Sequence, residues 1–168
     1  MTPLEERAVL PFYLKMMGLN ATSADSPTNG GLWTSLVRAG RTTDTFDVKW
    51  LLNVGAWRPV VMGAWFSLRF SATQVGIELR RAMQHSAGSL TAPPLATACL
   101  LVTGTDSLPE LTDYVQTALA DGSEKFVSAA IESLGATAPL AITDSHRTSL
   151  RAMIDCGVRL RHDLTYDG

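Results

Sequence analysis

Cysteine is scarce: Cys99 and Cys156 are the only two in 168 residues, too few for a disulfide scaffold. Both fall in apolar patterns where a reduced thiol behaves as a small hydrophobe, and a reducing, cytoplasmic compartment is the expectation. Charge is sparse as well, at 18% of residues, with 14 Lys and Arg against 16 Asp and Glu and a net charge of −2. No global basic field exists to hold a duplex, an RNA or an anionic membrane, so nucleic acid is set aside as a partner. Long apolar runs are missing: the longest, Ala98 to Val102, falls far short of the ~20 residues that cross a bilayer. The opening Met-Thr-Pro-Leu-Glu-Glu-Arg lacks the basic start and apolar centre of a secretory leader, and a soluble, untargeted, non-membrane chain is expected. His85, His146 and His162 stand far apart, and none has a His or Cys partner at metal-ligand spacing. Ser-x-x-Lys, Gly-x-Ser-x-Gly, a phosphate-binding glycine loop and a dinucleotide fingerprint are all absent. No catalytic residue, no metal and no cofactor are therefore assigned.

Apolar residues, by contrast, make up 46% of the chain, enough for one compact domain over 1–168 that buries roughly two-thirds of its unfolded surface. Thr2 before Pro3 opens a helix that is expected to run to Gly18 with a bend at Pro11. Residues 20–31 contain almost nothing apolar and every turn former, and read as a flexible loop. A short helix follows over Leu32, Leu36 and Val37, ended by Gly40. Helices are then expected at 44–53, 59–70, 73–86, 94–103, 108–120 and 124–134. Their apolar residues fall three and four apart, as in Val75, Leu79, Ala82 and Met83, or Leu108, Leu111, Val115 and Leu119. A last helix runs from about Asp144 through Leu150, Met153 and Ile154 to Val158, before a polar Tyr166-Asp167-Gly168 end. Strict alternation never persists long enough for a sheet. The helices pair into units opening near Asp44, Thr73, Leu108 and Ala138, about 29, 35 and 30 residues apart, the period of stacked helix-turn-helix repeats. The expected fold is all-α, a HEAT-like stack of antiparallel helix pairs, because a lone pair cannot bury its apolar face.

Charge is unevenly spread within the small net value. From 105 to 135, Asp106, Glu110, Asp113, Asp121, Glu124 and Glu132 face only Lys125, a balance of −5. From 58 to 104, Arg58, Arg69, Arg80 and Arg81 face only Glu78, a balance of +3. Asp106, Glu110 and Asp113 can share one helix face through three- and four-residue steps. With Asp121 and Glu124 they form a candidate partner-binding surface, one that would steer a basic protein toward it. The alternative is a merely solvated acidic face. Val54-Gly55-Ala56-Trp57 and Val61-Met62-Gly63-Ala64-Trp65 repeat a small pattern eight residues apart. They read either as close helix packing or as a pocket formed by Trp57, Arg58 and Trp65. Cys156, with Asp155 beside it and Arg159 three residues on, reads as a buried structural thiol.

Two stretches carry a family resemblance: Val9-Leu10-Pro11-Phe12-Tyr13-Leu14, and Trp57-Arg58-Pro59-Val60-Val61-Met62-Gly63-Ala64-Trp65-Phe66. They resemble the signatures of a bacterial domain-of-unknown-function family, of DUF-six-thousand type, with Pro-Phe-Tyr-Leu and Trp-Arg-Pro-x-x-x-Gly-Ala-Trp motifs. The resemblance covers roughly residues 8 to 135 and implies a HEAT-like helical character, without an activity to carry over. Members have Glu and Tyr-Ala-Gly after the third repeat helix, where this chain has Gln84-His85-Ser86-Ala87-Gly88 and keeps only the Ala-Gly.

These features favour a non-enzymatic protein-binding module over an enzyme. The particular form expected is a small cytoplasmic immunity protein or antitoxin whose acidic surface occludes one basic toxin domain. A DNA-base glycosylase-like enzyme on a HEAT-like frame is the alternative, with Trp50, Trp57, Trp65, Asp47 and Arg58 close in sequence. A glycosylase must grip phosphates, however, and residues 1–57 balance at zero. A small-molecule-binding regulatory protein, with its pocket near Trp57 to Trp65, is the third reading.

Overall fold

The computed structural model describes residues 1–118 and 120–166. Among them there is no strand, and ten α-helices account for the architecture: α1 (Pro3–Ala8), α2 (Tyr13–Met16), α3 (Leu32–Arg41), α4 (Thr45–Asn53), α5 (Trp57–Ser67), α6 (Ala72–Gln84), α7 (Ala92–Val102), α8 (Leu108–Thr117), α9 (Ser123–Ser133) and α10 (Asp144–Thr165). Leu119, expected on the α8 stripe, and Asp167 and Gly168 lie outside the described residues. No described helix is long and apolar enough to cross a membrane.

The first helix departs from expectation. Thr2 and Glu5 close a capping box, with Thr2 N–H donating to Glu5 Oε2 at 2.8 Å, but α1 stops at Ala8 instead of bending at Pro11. Proline lacks an N–H and its ring clashes with the carbonyl four residues back. The chain therefore turns through 9–12, with Leu10 N–H reaching Glu5 O at 2.9 Å, and α2 starts afresh. The expected loop 20–31 carries two 3-10 turns, Asn20–Ser23 and Pro27–Asn29. Ala21 and Ala24 are buried, the Cys156 thiol donates to Ala21 O at 3.3 Å, and Asp25 pairs with Arg159.

From α4 onward, sequential helices pack as pairs: α4 on α5, α6 on α7, α8 on α9. Like members also touch, giving an outer row α4–α6–α8 and an inner row α5–α7–α9. The outer helices bury one stripe each, such as Val75, Gly76, Leu79, Ala82 and Met83 on α6. The inner helices are buried nearly all round: every residue from Ala92 to Cys99 of α7 is buried, because α10 lies over α7 and α9 and also meets α3. Small residues let these backbones approach. A Cβ on Gly157 of α10 would come within 2.6 Å of Leu101 Cδ1, and one on Gly63 of α5 within 3.1 Å of Leu51 and Leu52 of α4. The repeated Gly-Ala-Trp pattern thus serves packing at Gly63, and Trp65 beside it is wholly buried. Its indole N–H donates to Met16 O at 2.8 Å and fixes α2 against α5.

Several helix ends are closed by arginines from other elements, which supply donors to carbonyls left without an intrahelical partner. Arg69 Nη1 donates to Arg41 O at 2.6 Å and Thr43 O at 3.2 Å, at the end of α3. Arg41 in turn donates to Asp163 O at 2.6 Å near the end of α10, and Arg161 to Leu101 O at 2.8 Å at the end of α7.

Candidate functional site

The acidic residues separate into two groups. Asp106 lies in the 3-10 turn Gly104–Ser107 that leads into α8, and Glu110 and Asp113 stand on α8 itself. All three line the seam with α6. Arg80 of α6 donates to Asp106 O at 2.8 Å and approaches Glu110 Oε1 at 3.5 Å, while Gln84 Nε2 donates to Asp113 Oδ2 at 2.8 Å. The Asp106 and Asp113 side chains are exposed. Glu110 is half-buried, and its Oε2 is buried without a hydrogen-bond partner among the described residues. Asp121 and Glu124 sit instead at the start of α9, where Glu124 Oε2 accepts from Gly122 N–H at 3.0 Å.

Asp121 has a structural task that its sequence context does not announce. It accepts from Ser89 N–H at 2.8 Å, from Ser123 N–H at 2.9 Å and from the Ser123 hydroxyl at 2.5 Å. Tyr114 OH completes the chain, 2.6 Å from Ser123 Oγ. Partial burial raises the Asp121 pKa, but the donors from Ser123 and Ser89 outweigh it and hold the carboxyl below its ordinary value. The loop after α6 comes close because its residue there is Gly88, at φ +113°, where a Cβ would meet Asp121 Oδ2 at 2.6 Å. The loop at Ala87-Gly88 is therefore the point at which α6, α7 and α9 are tied together.

On the other side of the same loop lies a cavity of about 300 Å³ whose lining includes Leu52, Trp57, Arg81, His85, Ser86 and Thr91. It draws on α4, α5, α6 and the 85–91 connection. Trp57 is half-buried and meets Tyr13 edge-on, centroids 5.5 Å apart, with the Arg58 guanidinium 5.0 Å from the Trp57 ring. Trp57 lines the cavity, while Arg58 stacks on the Trp57 and Tyr13 rings and is not among the lining residues. Trp65 is not with them, since its ring fills the core and its N–H is satisfied there. Sequence reasoning passed over Arg81, Ser86 and Thr91. The one available signal was Arg81 four residues before His85, which places both on one helix face. His85 Nδ1 is 2.9 Å from Arg81 O. A carbonyl only accepts, so Nδ1 carries the hydrogen, and in the neutral ring Nε2 is an acceptor. The Ser86 and Thr91 hydroxyls bond each other at 2.6 Å.

Several other ionisable groups hold the fold. Asp47 is paired with Arg7 at 2.7 Å and Trp65 is in the core, so these two members of the glycosylase-like set of Asp47, Trp50, Trp57, Arg58 and Trp65 are held in structural contacts. His146 Nδ1 accepts from Thr143 N–H at 3.0 Å and caps α10, and His162 lies 3.2 Å from Asp163. Burial pushes both thiols up, Cys99 far above its ordinary range and Cys156 to about 11, the reverse of an activated nucleophile. Among the described residues, no group of three or more His, Cys, Asp or Glu could hold a metal ion. No protein-family model, no curated protein and no solved structure matches the chain.

Proposed function

We propose that this chain is a non-enzymatic protein-binding module, an immunity protein or antitoxin acting in the bacterial cytoplasm, which docks one basic toxin domain on its outer row. The observation that carries this reading is the surface of α4, α6 and α8. Phe46 is 75% exposed and Ile77 66% exposed on adjacent helices of that row, and the exposed carboxylates of Asp106 and Asp113 stand along the α6–α8 seam. Apolar anchors within a charged rim are the usual composition of a docking surface, and carboxylates set the approach of a basic partner. The commitment of Asp47, His146 and both cysteines to structural contacts also favours binding over chemistry. In the same reading the three helix pairs form a HEAT-like stack closed by α10, and the Pro-Phe-Tyr-Leu and Trp-Arg-Pro motifs mark the bacterial domain-of-unknown-function family.

The test is association kinetics with a basic toxin domain captured by this chain, using Asp106→Asn together with Asp113→Asn, and separately Phe46→Ser with Ile77→Ser. The charge variant is expected to slow association about 10-fold at low salt and to lose most of its salt dependence. The apolar variant is expected to speed dissociation. Association unaffected by either pair sinks the reading.

A further inference from the structure

We propose that the cavity beside the α6–α7 connection binds a small aromatic carboxylate, its ring against Trp57 and its carboxylate on Arg81. The cation supports this first. Many of the other arginines are committed: Arg7, Arg80, Arg147 and Arg159 to carboxylates, Arg69 and Arg161 to carbonyls, and Arg58 to two aromatic rings. Arg81 lines the cavity, and its guanidinium has no hydrogen-bond or ion-pair partner among the described residues. A guanidinium presents a planar fork of donors that matches a carboxylate bidentately. The lining also holds no second cation, which fits one negative charge better than a phosphate dianion.

The walls supply the rest of the ligand's chemistry. Trp57, Val60, Leu52 and Ala82 form an apolar side suited to a flat ring. His85 Nε2, an acceptor in the neutral ring whose Nδ1 bonds Arg81 O, can receive a ring N–H or hydroxyl. A volume of about 300 Å³ lies at the lower end for ligand sites and limits the occupant to about 10–15 non-hydrogen atoms. The site stands whether or not the outer row docks a protein.

The experiment titrates phenylacetate, indole-3-acetate, neutral indole and phenyl phosphate into the wild-type chain, following tryptophan fluorescence and the thermal midpoint. The two carboxylates are expected to raise the midpoint and perturb the fluorescence, and indole and phenyl phosphate to bind at least about 10-fold more weakly. Arg81→Gln is expected to weaken carboxylate binding about 10-fold or more, with Arg81→Lys between the two. The midpoint of each ligand-free variant separates a lost contact from a lost fold, because Arg81 is exposed and its substitution should leave that midpoint nearly unchanged. Failure of both carboxylates to bind at about 5 mM, or equal binding of phenyl phosphate, or equal binding by a folded Arg81→Gln protein, overturns the proposal.

Discussion

Replacing Gly88 with alanine would set a methyl carbon 2.6 Å from Asp121 Oδ2 and hold a side-chain-bearing residue at φ +113°. The strain and the displaced carboxylate together are expected to lower the unfolding free energy by about 2–4 kcal/mol, read from urea denaturation. The partner residue gives a prediction in pH. Asp121 has a folded pKa below its ordinary value because the Ser123 and Ser89 donors overcome its partial burial. Asp163 is lowered chiefly by the bond from the Trp33 indole, 2.8 Å from Oδ2. A depressed carboxyl pKa stabilises the fold above the unfolded-state value near 3.9, and that contribution is lost as pH falls through the folded value. Stability should thus change little between pH 7 and 5 on account of these groups and fall below about pH 4. Asp121→Asn and Asp163→Asn should each flatten that acid limb in equilibrium unfolding followed against pH. The sequence made Gly88 legible only as half of an Ala-Gly pair and Asp121 as an acidic residue. That one exists to admit the other depends on bringing together residues 33 positions apart in the chain.

Among the elements, the arginine-closed helix ends yield a prediction at α3. Arg69→Met removes the donors to Arg41 O and Thr43 O, and is expected to lower the thermal midpoint by a few degrees, discounted for the exposure of Arg69. Arg69→Lys should recover only part, since a single ammonium cannot reproduce the guanidinium's spread of donors. Helix positions were themselves largely legible, for a physical reason: apolar stripes at 3.6-residue spacing place the expected 73–86, 94–103 and 124–134 within two residues of α6, α7 and α9. The misses share a cause as well. Segment 20–31 hid its buried part because only two alanines, Ala21 and Ala24, reach the core. The expected end of α10 at Val158 fell short of Thr165, because the run Arg159 to Asp163 offers one apolar residue, Leu160. Yet Leu160 and Leu164 are buried, the latter against Gly40, where a Cβ would meet Leu164 Cδ2 at 2.5 Å.

Across the whole molecule, the basic and acidic segments face one another. Arg80 from the +3 stretch meets Glu110 and the Asp106 carbonyl from the −5 stretch, so part of the asymmetry visible in the sequence is consumed internally, and Asp106 and Asp113 keep their exposure. The cavity was legible only in pieces. Trp57 and the Gln84–Gly88 stretch each stood out, but their meeting follows from packing α4–α5 on α6–α7, which no local pattern encodes. The inner row poses the remaining test: a chain ending at Ile142 leaves the α7 and α9 surfaces under α10 uncovered. It should bind a hydrophobic dye and lose cooperative thermal unfolding, whereas retention of the full-length transition would refute the role given to α10. This arrangement also has a consequence in time. Ribosomes add about 5–20 residues per second, so α7 leaves the exit tunnel seconds before the helix that covers it. During that interval the nascent chain presents the uncovered apolar surface of α7, and its exposure to chaperones and to aggregation is set by the rate of translation through the codons that separate α7 from α10.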